Sequence, residues 1–271
     1  MTDAELAAAL GRVVVWVLAG GLAALTLVEA LHPHVAFADE RARLRHLLVN
    51  LGVWLSGYAL VDWWLVPWLQ LRIGVDPSRA LLSLASLPGW AQAIAGILVL
   101  DFAEWLLHVI QHRVRPLWLI HAVHHSDPHL DASTALRHHP LEVLVTLLWQ
   151  SGLLWVVGLP MWVLMLRGIV GVPIGLYQHA NLRLPPALDR VLGLVIASPG
   201  IHRVHHSPRV DETNANYGTV FSFWDRLFGT YRAPDYDRAP AYGLARLRAP
   251  EWQGVSGMLA TPFKARGIAT L

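Results

Sequence analysis

Residues 101–125, DFAEWLLHVIQHRVRPLWLIHAVHH, carry five histidines: His108, His112, His121, His124 and His125. A second block, His202, His205 and His206, repeats the HxxHH spacing far downstream. Positions i, i+3 and i+4 of a helix project to one face, so each HxxHH block can point three imidazoles at one site. His108 and His112 do the same from the end of an apolar run. Eight imidazoles are too many for one ion, which takes about four to six ligands, so the spacing calls for a pair of metals. Twelve of the 15 histidines lie between positions 108 and 206, where a random scatter would place roughly five or six. HxxxH alone is a weak signal, but HxxxH followed by two HxxHH blocks is a strong one.

The chain has no cysteine, which excludes thiolate zinc, iron–sulfur clusters and disulfides. Imidazole suits zinc, copper, iron and nickel alike, so ligand type does not choose the metal. Structural zinc would not need eight nitrogen ligands. A pair with open positions for oxygen favours iron, because O2 activation requires a redox metal. Asp101, Glu104, His108 and His112 follow one another at steps of three, four and four residues and so share a helix face. Glu104 either fixes the tautomer of a ligand histidine or lines a polar cavity and pairs with an arginine.

The elements that position these residues are apolar. Of 271 residues 55% are hydrophobic and 15% charged, against about 25% charged in a soluble domain, and mean hydropathy is +0.43. Apolar runs cover residues 12–31, 47–69, 87–110, 143–158 and 160–177. The predicted class is an all-α integral membrane protein with four to five transmembrane helices and a cytosolic helical cap that carries the histidines. The N-terminal run has an acidic flank and no clean cleavage site, so it reads as a retained helix rather than a signal peptide. Gly158-Leu159-Pro160 is so short a break that the last two runs form a hairpin. Trp63, Trp64 and Trp68 read as an interface belt. Asp62 and Arg167 lie inside apolar runs and need partners, possible partners being each other. Arginine placement puts the histidine blocks on the cytoplasmic side. Net charge is only +2 and Lys264 is the sole lysine, so no basic stripe for nucleic acid exists. His32, His34 and His46 have no ligand spacing and read as loop or interface histidines, and His129 as solvent-facing. The organisation expected is N-terminal membrane helices over 1–86, a metal-bearing unit over 87–232 and an irregular cap over 233–271.

The chain resembles the fatty acid hydroxylase superfamily, membrane di-iron oxygenases that include sterol desaturases and lipid hydroxylases. The matching stretches are HVIQH at 108–112, HAVHHS at 121–126, RHHPLE at 137–142, HAN at 179–181, HRVHHS at 202–207 and NYGTVFSFWDRLFGTY at 216–231. The last resembles most the bacterial sterol-desaturase-like and alkylglycerol-monooxygenase-like branch. The resemblance implies two iron ions ligated by His108, His112, His121, His124, His125, His202, His205 and His206, with His179 as a ninth ligand. Some relatives carry His or Asn one turn before His179, where this chain has Gly175. The RxHPxE pattern selects His139 over His138, as a ligand or as a residue that orients one. Asn216, Tyr217, Gly218 and Trp224 close the cap, and Asp225 does the same or accepts from a ligand histidine. The implied activity is O2-dependent hydroxylation or desaturation of a lipid C–H bond in a sterol, fatty acyl chain, sphingolipid or ether lipid. No haem or flavin motif is visible, so electrons come from a separate reductase, ferredoxin or cytochrome. The competing readings are a non-catalytic membrane metal binder or transporter, a structural zinc protein and a carotenoid hydroxylase. Transport would want polar residues along a membrane path, whereas these histidines lie at one side.

Overall fold

A computed structural model of the chain describes residues 1–61, 84–265 and 267. The described residues are helical and form no named strand, with two isolated bridges between extended segments. The first helix, α1 (Asp3–Leu31), starts at a capping box in which the Thr2 hydroxyl accepts from the Glu5 N–H and the Glu5 carboxylate accepts from the Thr2 N–H. Many of its apolar side chains, Val15 and Trp16 among them, are exposed, which suits hydrocarbon and not water. Its last turn carries the buried Glu29, whose carboxylate accepts from the Ala132 and Asn181 N–H groups. The second helix, α2 (Glu40–Leu60), begins at the Asp39 cap within the arginine-bearing polar segment. The apolar run expected over 47–69 is described only as far as Val61, and Asp62, Trp63, Trp64 and Trp68 lie outside the described residues.

Four helices among the described residues are long and apolar enough to cross a membrane: α1, α3 (Gly89–Arg113), α5 (Pro140–Val157) and α6 (Met161–His179). Between them, α4 (Arg115–His125) starts with Pro116 in its first turn, where a missing N–H costs nothing. The α5–α6 hairpin turns at Gly158, which takes the left-handed conformation (φ +67°) that glycine adopts without penalty. Leu159 is fully buried in the turn, against Leu100, Leu154 and Val163. On α3, a Cβ at Gly96 would stand 2.1 Å from Val163, so only glycine permits this approach of α3 to α6. Arg167 does not face lipid. It pairs with Asp101 and Glu104 on α3 and donates to the Thr219 hydroxyl at 2.9 Å.

After α6 the chain forms short helices α7 (Pro186–Leu192), α8 (Pro199–His205), α9 (Val210–Thr213) and α10 (Phe223–Leu227). Asn216, in the left-handed region at φ +56°, clamps this cap: its amide donates to the Ile201 and Arg232 carbonyls and accepts from the Arg232 N–H. The tail after Arg232 is less irregular than expected. It contains α11 (Val255–Lys264), which packs on α4 and α2 and buries Met258 and Thr261. So short a helix, with Pro262 inside it, shows little period in sequence and owes its stability to packing.

Candidate metal centre

Helix α3 delivers His108 and His112, α4 delivers His121, His124 and His125, α6 ends on His179, and α8 with its cap residue delivers His202, His205 and His206. All nine are buried. They form two adjoining groups, His108, His112, His121, His125 and His205 in one and His124, His179, His202 and His206 in the other. Each HxxHH block is therefore shared between two groups, not devoted to one as its spacing alone suggests. The reason is angular: at 3.6 residues per turn, position i+4 lies about 40° to one side of i and i+3 about 60° to the other. His121 and His125 turn one way and His124 the other, and His202 and His206 separate from His205 in the same manner. The groups touch through His125 and His206, whose rings stack at 4.6 Å.

The ring nitrogens have defined roles. His108 Nδ1 donates to the Tyr217 carbonyl (2.9 Å), His205 Nδ1 to the Ala215 carbonyl (2.8 Å), His179 Nδ1 to the Gly175 carbonyl (2.6 Å) and His121 Nδ1 to the Glu142 carboxylate (2.6 Å). With the proton on Nδ1, each Nε2 presents a lone pair. His108 Nε2 nevertheless lies 3.0 Å from both His121 Nε2 and His205 Nε2. Lone pairs facing each other so closely repel unless a cation stands between them. Two ligand atoms at about 2.1 Å from one ion and at right angles to each other stand about 3 Å apart, which is the spacing seen. The donor set thus fits two metal ions. Outside the membrane helices, burial and then neighbouring imidazoles hold His124, His125, His202 and His206 well below the ordinary histidine range, and burial takes His205 to about 3. Neutral imidazole is the ligand form.

Of the other residues singled out in the sequence, His139 does not join either group. Its Nδ1 accepts from the Leu141 N–H as the cap of α5, and its Nε2 donates to the Leu259 carbonyl at 3.2 Å. His138 takes the inward place instead, stacking on His124 at 4.6 Å with Nδ1 3.0 Å from Glu142. A proline at the first position of a helix makes the preceding residue the cap, and the cap side chain folds back on its own helix. Glu104 turns to Arg167 and accepts from the Gln150 amide, so it closes a cavity wall. Glu142 is the carboxylate that orients a histidine. Asp225 accepts from Trp105 Nε1, the Tyr217 and Gly218 N–H groups and the Thr230 hydroxyl. It acts on the centre one step removed, by fixing the peptide whose carbonyl holds His108. Asp101 pins the next residues through the Val220 and Phe221 N–H groups. Glu142 has a trace in the sequence, as the last letter of RHHPLE, whereas the carbonyls of Gly175, Ala215 and Tyr217 have none.

Beneath the two groups a cavity of about 410 Å³ runs between α3, α5 and α6. Six histidines, the apolar Leu107, Val143 and Leu147, and the polar Glu104, Gln150, Arg167 and Thr219 line it.

The family model for "Fatty acid hydroxylase" matches residues 93–230. An ornithine lipid hydroxylase of Rhizobium tropici is 32% identical over 178 residues, 65% of this chain and 51% of that protein. The alkylglycerol monooxygenases of Homo sapiens and Danio rerio are 28% identical over 155 residues and 32% over 158, in each case 57% of this chain and about a third of the relative. The chain thus spans about half the length of the first of these relatives and about a third of the other two. No solved structure matches it.

Proposed function

Because the chain belongs to the fatty acid hydroxylase family, we propose that it is an O2-dependent membrane oxidoreductase that hydroxylates a lipid C–H bond, with two iron ions held by the two histidine groups. The observation that carries this reading is the meeting of the His108, His121 and His205 Nε2 atoms at 3.0 Å while their Nδ1 protons are committed elsewhere. Bound iron would supply the two-electron activation of O2 that an unactivated C–H bond requires. The overall balance is C–H plus O2, two electrons and two protons giving C–OH and water.

The protein's own residues supply position and dryness. His108, His112, His121, His125 and His205 hold one ion, and His124, His179, His202 and His206 the other. Glu142 keeps His121 in the tautomer that leaves Nε2 free and raises its basicity. Asp225 and Asn216 fix the loop whose carbonyls orient His108 and His205. The apolar lining of the cavity, Leu107, Val143 and Leu147, receives the lipid and excludes water from the reacting carbon. Residues 87–232 are the catalytic unit in this reading, and the helices before them anchor it. The centre faces the cytoplasm, where the arginines concentrate and a separate reductase, ferredoxin or cytochrome delivers the electrons. The names of the relatives favour hydroxylation over desaturation.

Protein expressed with ample iron, purified whole and assayed for metal content and for O2 consumption with candidate lipids tests the proposal. Two irons per chain and lipid-dependent O2 uptake are expected, and both should be lost in His124→Ala and in His205→Ala. Full activity in either variant, or zinc in place of iron in an active preparation, overturns it.

A further inference from the structure

On the face of α8 turned away from the histidine centre, Gly200, Arg203, Val204 and Ser207 line a second cavity, of about 260 Å³. Its other walls come from the loop after α6, from α7, from the chain beyond Arg232 and from His34 in the segment after α1. Four arginines border it, and they are of two kinds. Arg209 and Arg238 are ion-paired, the first with Asp211 and Glu212, the second with Glu212. Arg183 and Arg203 have no carboxylate within ion-pair distance among the described residues. Arg203 is half-buried and spends one nitrogen, Nη2, on the Ala180 and Leu182 carbonyls. The acids on the wall are engaged elsewhere. Asp189 accepts from the Gly200 N–H (3.1 Å) and the Tyr236 hydroxyl (2.7 Å) and acts on Arg203 only through space, and Asp235 accepts from the Asp237 N–H.

The three basic groups stand on one short stretch of chain. Arg203 reaches the Ala180 carbonyl at 3.1 Å, the His34 N–H donates to the Asn181 carbonyl at 2.8 Å, and Arg183 follows Leu182 directly. Burial, and then the charges of Arg203 and Arg183, push the His34 imidazole down to about 4. A ring held neutral by two guanidiniums marks positive charge that the wall does not itself balance. Helix α7, which gives Pro186 and Asp189 to the cavity, is apolar on its outer side: Leu188, Val191 and, in the turn beyond, Leu194 and Val195 are exposed. Arg190 on the same helix lies over the Tyr236 ring at 5.0 Å. Only a short loop separates α7 from α6, which is long and apolar enough to cross a membrane. Cations beside an apolar face at that level are the composition of an element that rests in the headgroup layer.

We propose that this second cavity binds the phosphate of an anionic phospholipid on Arg183 and Arg203, with the acyl chains of that lipid along Leu188, Val191, Leu194 and Val195. Guanidinium groups match phosphate oxygens in pairs. The acyl chains cover an apolar face that a free anion would leave in water. Helix α8 stands between this cavity and the histidine centre, so the bound phospholipid seats the protein at the membrane surface and is not the molecule that reacts.

The test is native mass spectrometry of the whole chain in detergent, titrated with phosphatidylglycerol or with phosphatidylcholine of the same acyl chains. One phosphatidylglycerol per chain should bind at concentrations where phosphatidylcholine does not. Arg183→Gln, at an exposed side chain that carries no structural bond, should weaken it about fivefold, the share of one cation near an anionic surface. The double variant Leu188→Ser, Val191→Ser should weaken it as well, with the unfolding midpoint unchanged, and excess inorganic phosphate should not displace the lipid. Arg45→Gln, an exposed arginine of α2 that does not line the cavity, should bind as the parent does. Equal binding of the two lipids, or a loss in Arg45→Gln as large as in Arg183→Gln, overturns the built site. Displacement by phosphate, or indifference to the Leu188 and Val191 pair, makes it a site for soluble anions and overturns the lipid. A dimer that the same pair of substitutions dissolves gives the apolar face to a second copy of the chain and overturns it too.

Discussion

His46 on α2 and His125 on α4 lie in neighbouring buried networks, since His46 grips Asp127, two residues beyond His125. Burial acts to lower the pKa of both. At His46 the carboxylates of Asp127 and Asp131 overcome it: Nε2 lies 2.8 Å from Asp127 and Nδ1 3.1 Å from Asp131, and the imidazole is pushed up to about 10. At His125 the surroundings add to it, because His205 and His206 face the ring. One histidine is thus a cation at neutral pH and the other a neutral imidazole, and the difference lies in the neighbours rather than in depth. The first network is complete in itself. Arg137, fully buried, donates to Val123, Asn50, Ser126 and Gln253, and with His46 it holds the Asp127 carboxyl well below the usual range against the opposing effect of burial. The histidine centre sets a single carboxylate, Glu142, against His121 and His138, and the facing Nε2 atoms of its neutral rings fit a cation from outside. Polar networks of one protein can therefore serve stability in one place and binding in the next, and their internal charge balance tells them apart.

Asp127→Asn should be the severest test of the first network. It leaves an imidazolium and a guanidinium buried without their shared partner, at a cost of about 3–5 kcal/mol, read as the shift in unfolding midpoint in detergent. A change of a few tenths would mean that the network is hydrated and that the contrast with the histidine centre is false. Glu142→Gln probes the other side of the comparison. Its effect should fall on metal affinity, weaker by about 10–100-fold in competition with a chelator, because His121 loses its charged acceptor. An affinity equal to the parent's would remove Glu142 from the centre.

The pH response sharpens the contrast further. His46 has a folded pKa of about 10 against about 6.5 unfolded, so its stabilisation is complete below about 6.5 and is lost as pH rises through 10. Asp127 is shifted downward, so its share is present above about 3.9 and lost as pH falls below that. The stability gap between the parent and His46→Gln should therefore be widest between about pH 4 and 6.5 and close towards pH 10. A gap that widens with pH would contradict the cationic assignment. The smallest expected effect is that of His139→Ala, which removes a helix cap worth about 1 kcal/mol and should leave metal content unchanged. Loss of one equivalent of metal would return His139 to the ligand set.

The membrane helices and the histidine motifs were readable because both depend on local period. The α5–α6 hairpin followed from Gly158-Leu159-Pro160 alone, and Asp101, Glu104, His108 and His112 do share a face of α3. Reading failed where a residue's partner is remote. His46 looked like a loop histidine because Asp127 and Asp131 are more than eighty positions away. Arg167 suggested Asp62, which lies outside the described residues, and among the described residues it pairs with Asp101 and Glu104. His138 and His139 are adjacent and chemically identical, and only the cap geometry at Pro140 decides which one turns inward.

From the sequence alone, then, came eight imidazoles at helix spacing, the apolar helices that carry them and the expectation of two metals, with His179 added by the family resemblance, because helical period and hydropathy are properties of neighbouring residues. Tertiary structure decided which imidazole joins which group, that Glu142 and not Glu104 orients a histidine of the centre, and that the carbonyls of Gly175, Ala215 and Tyr217 hold the rings. Those choices depend on where separate helices meet, and a backbone carbonyl leaves no mark in the residue type that bears it.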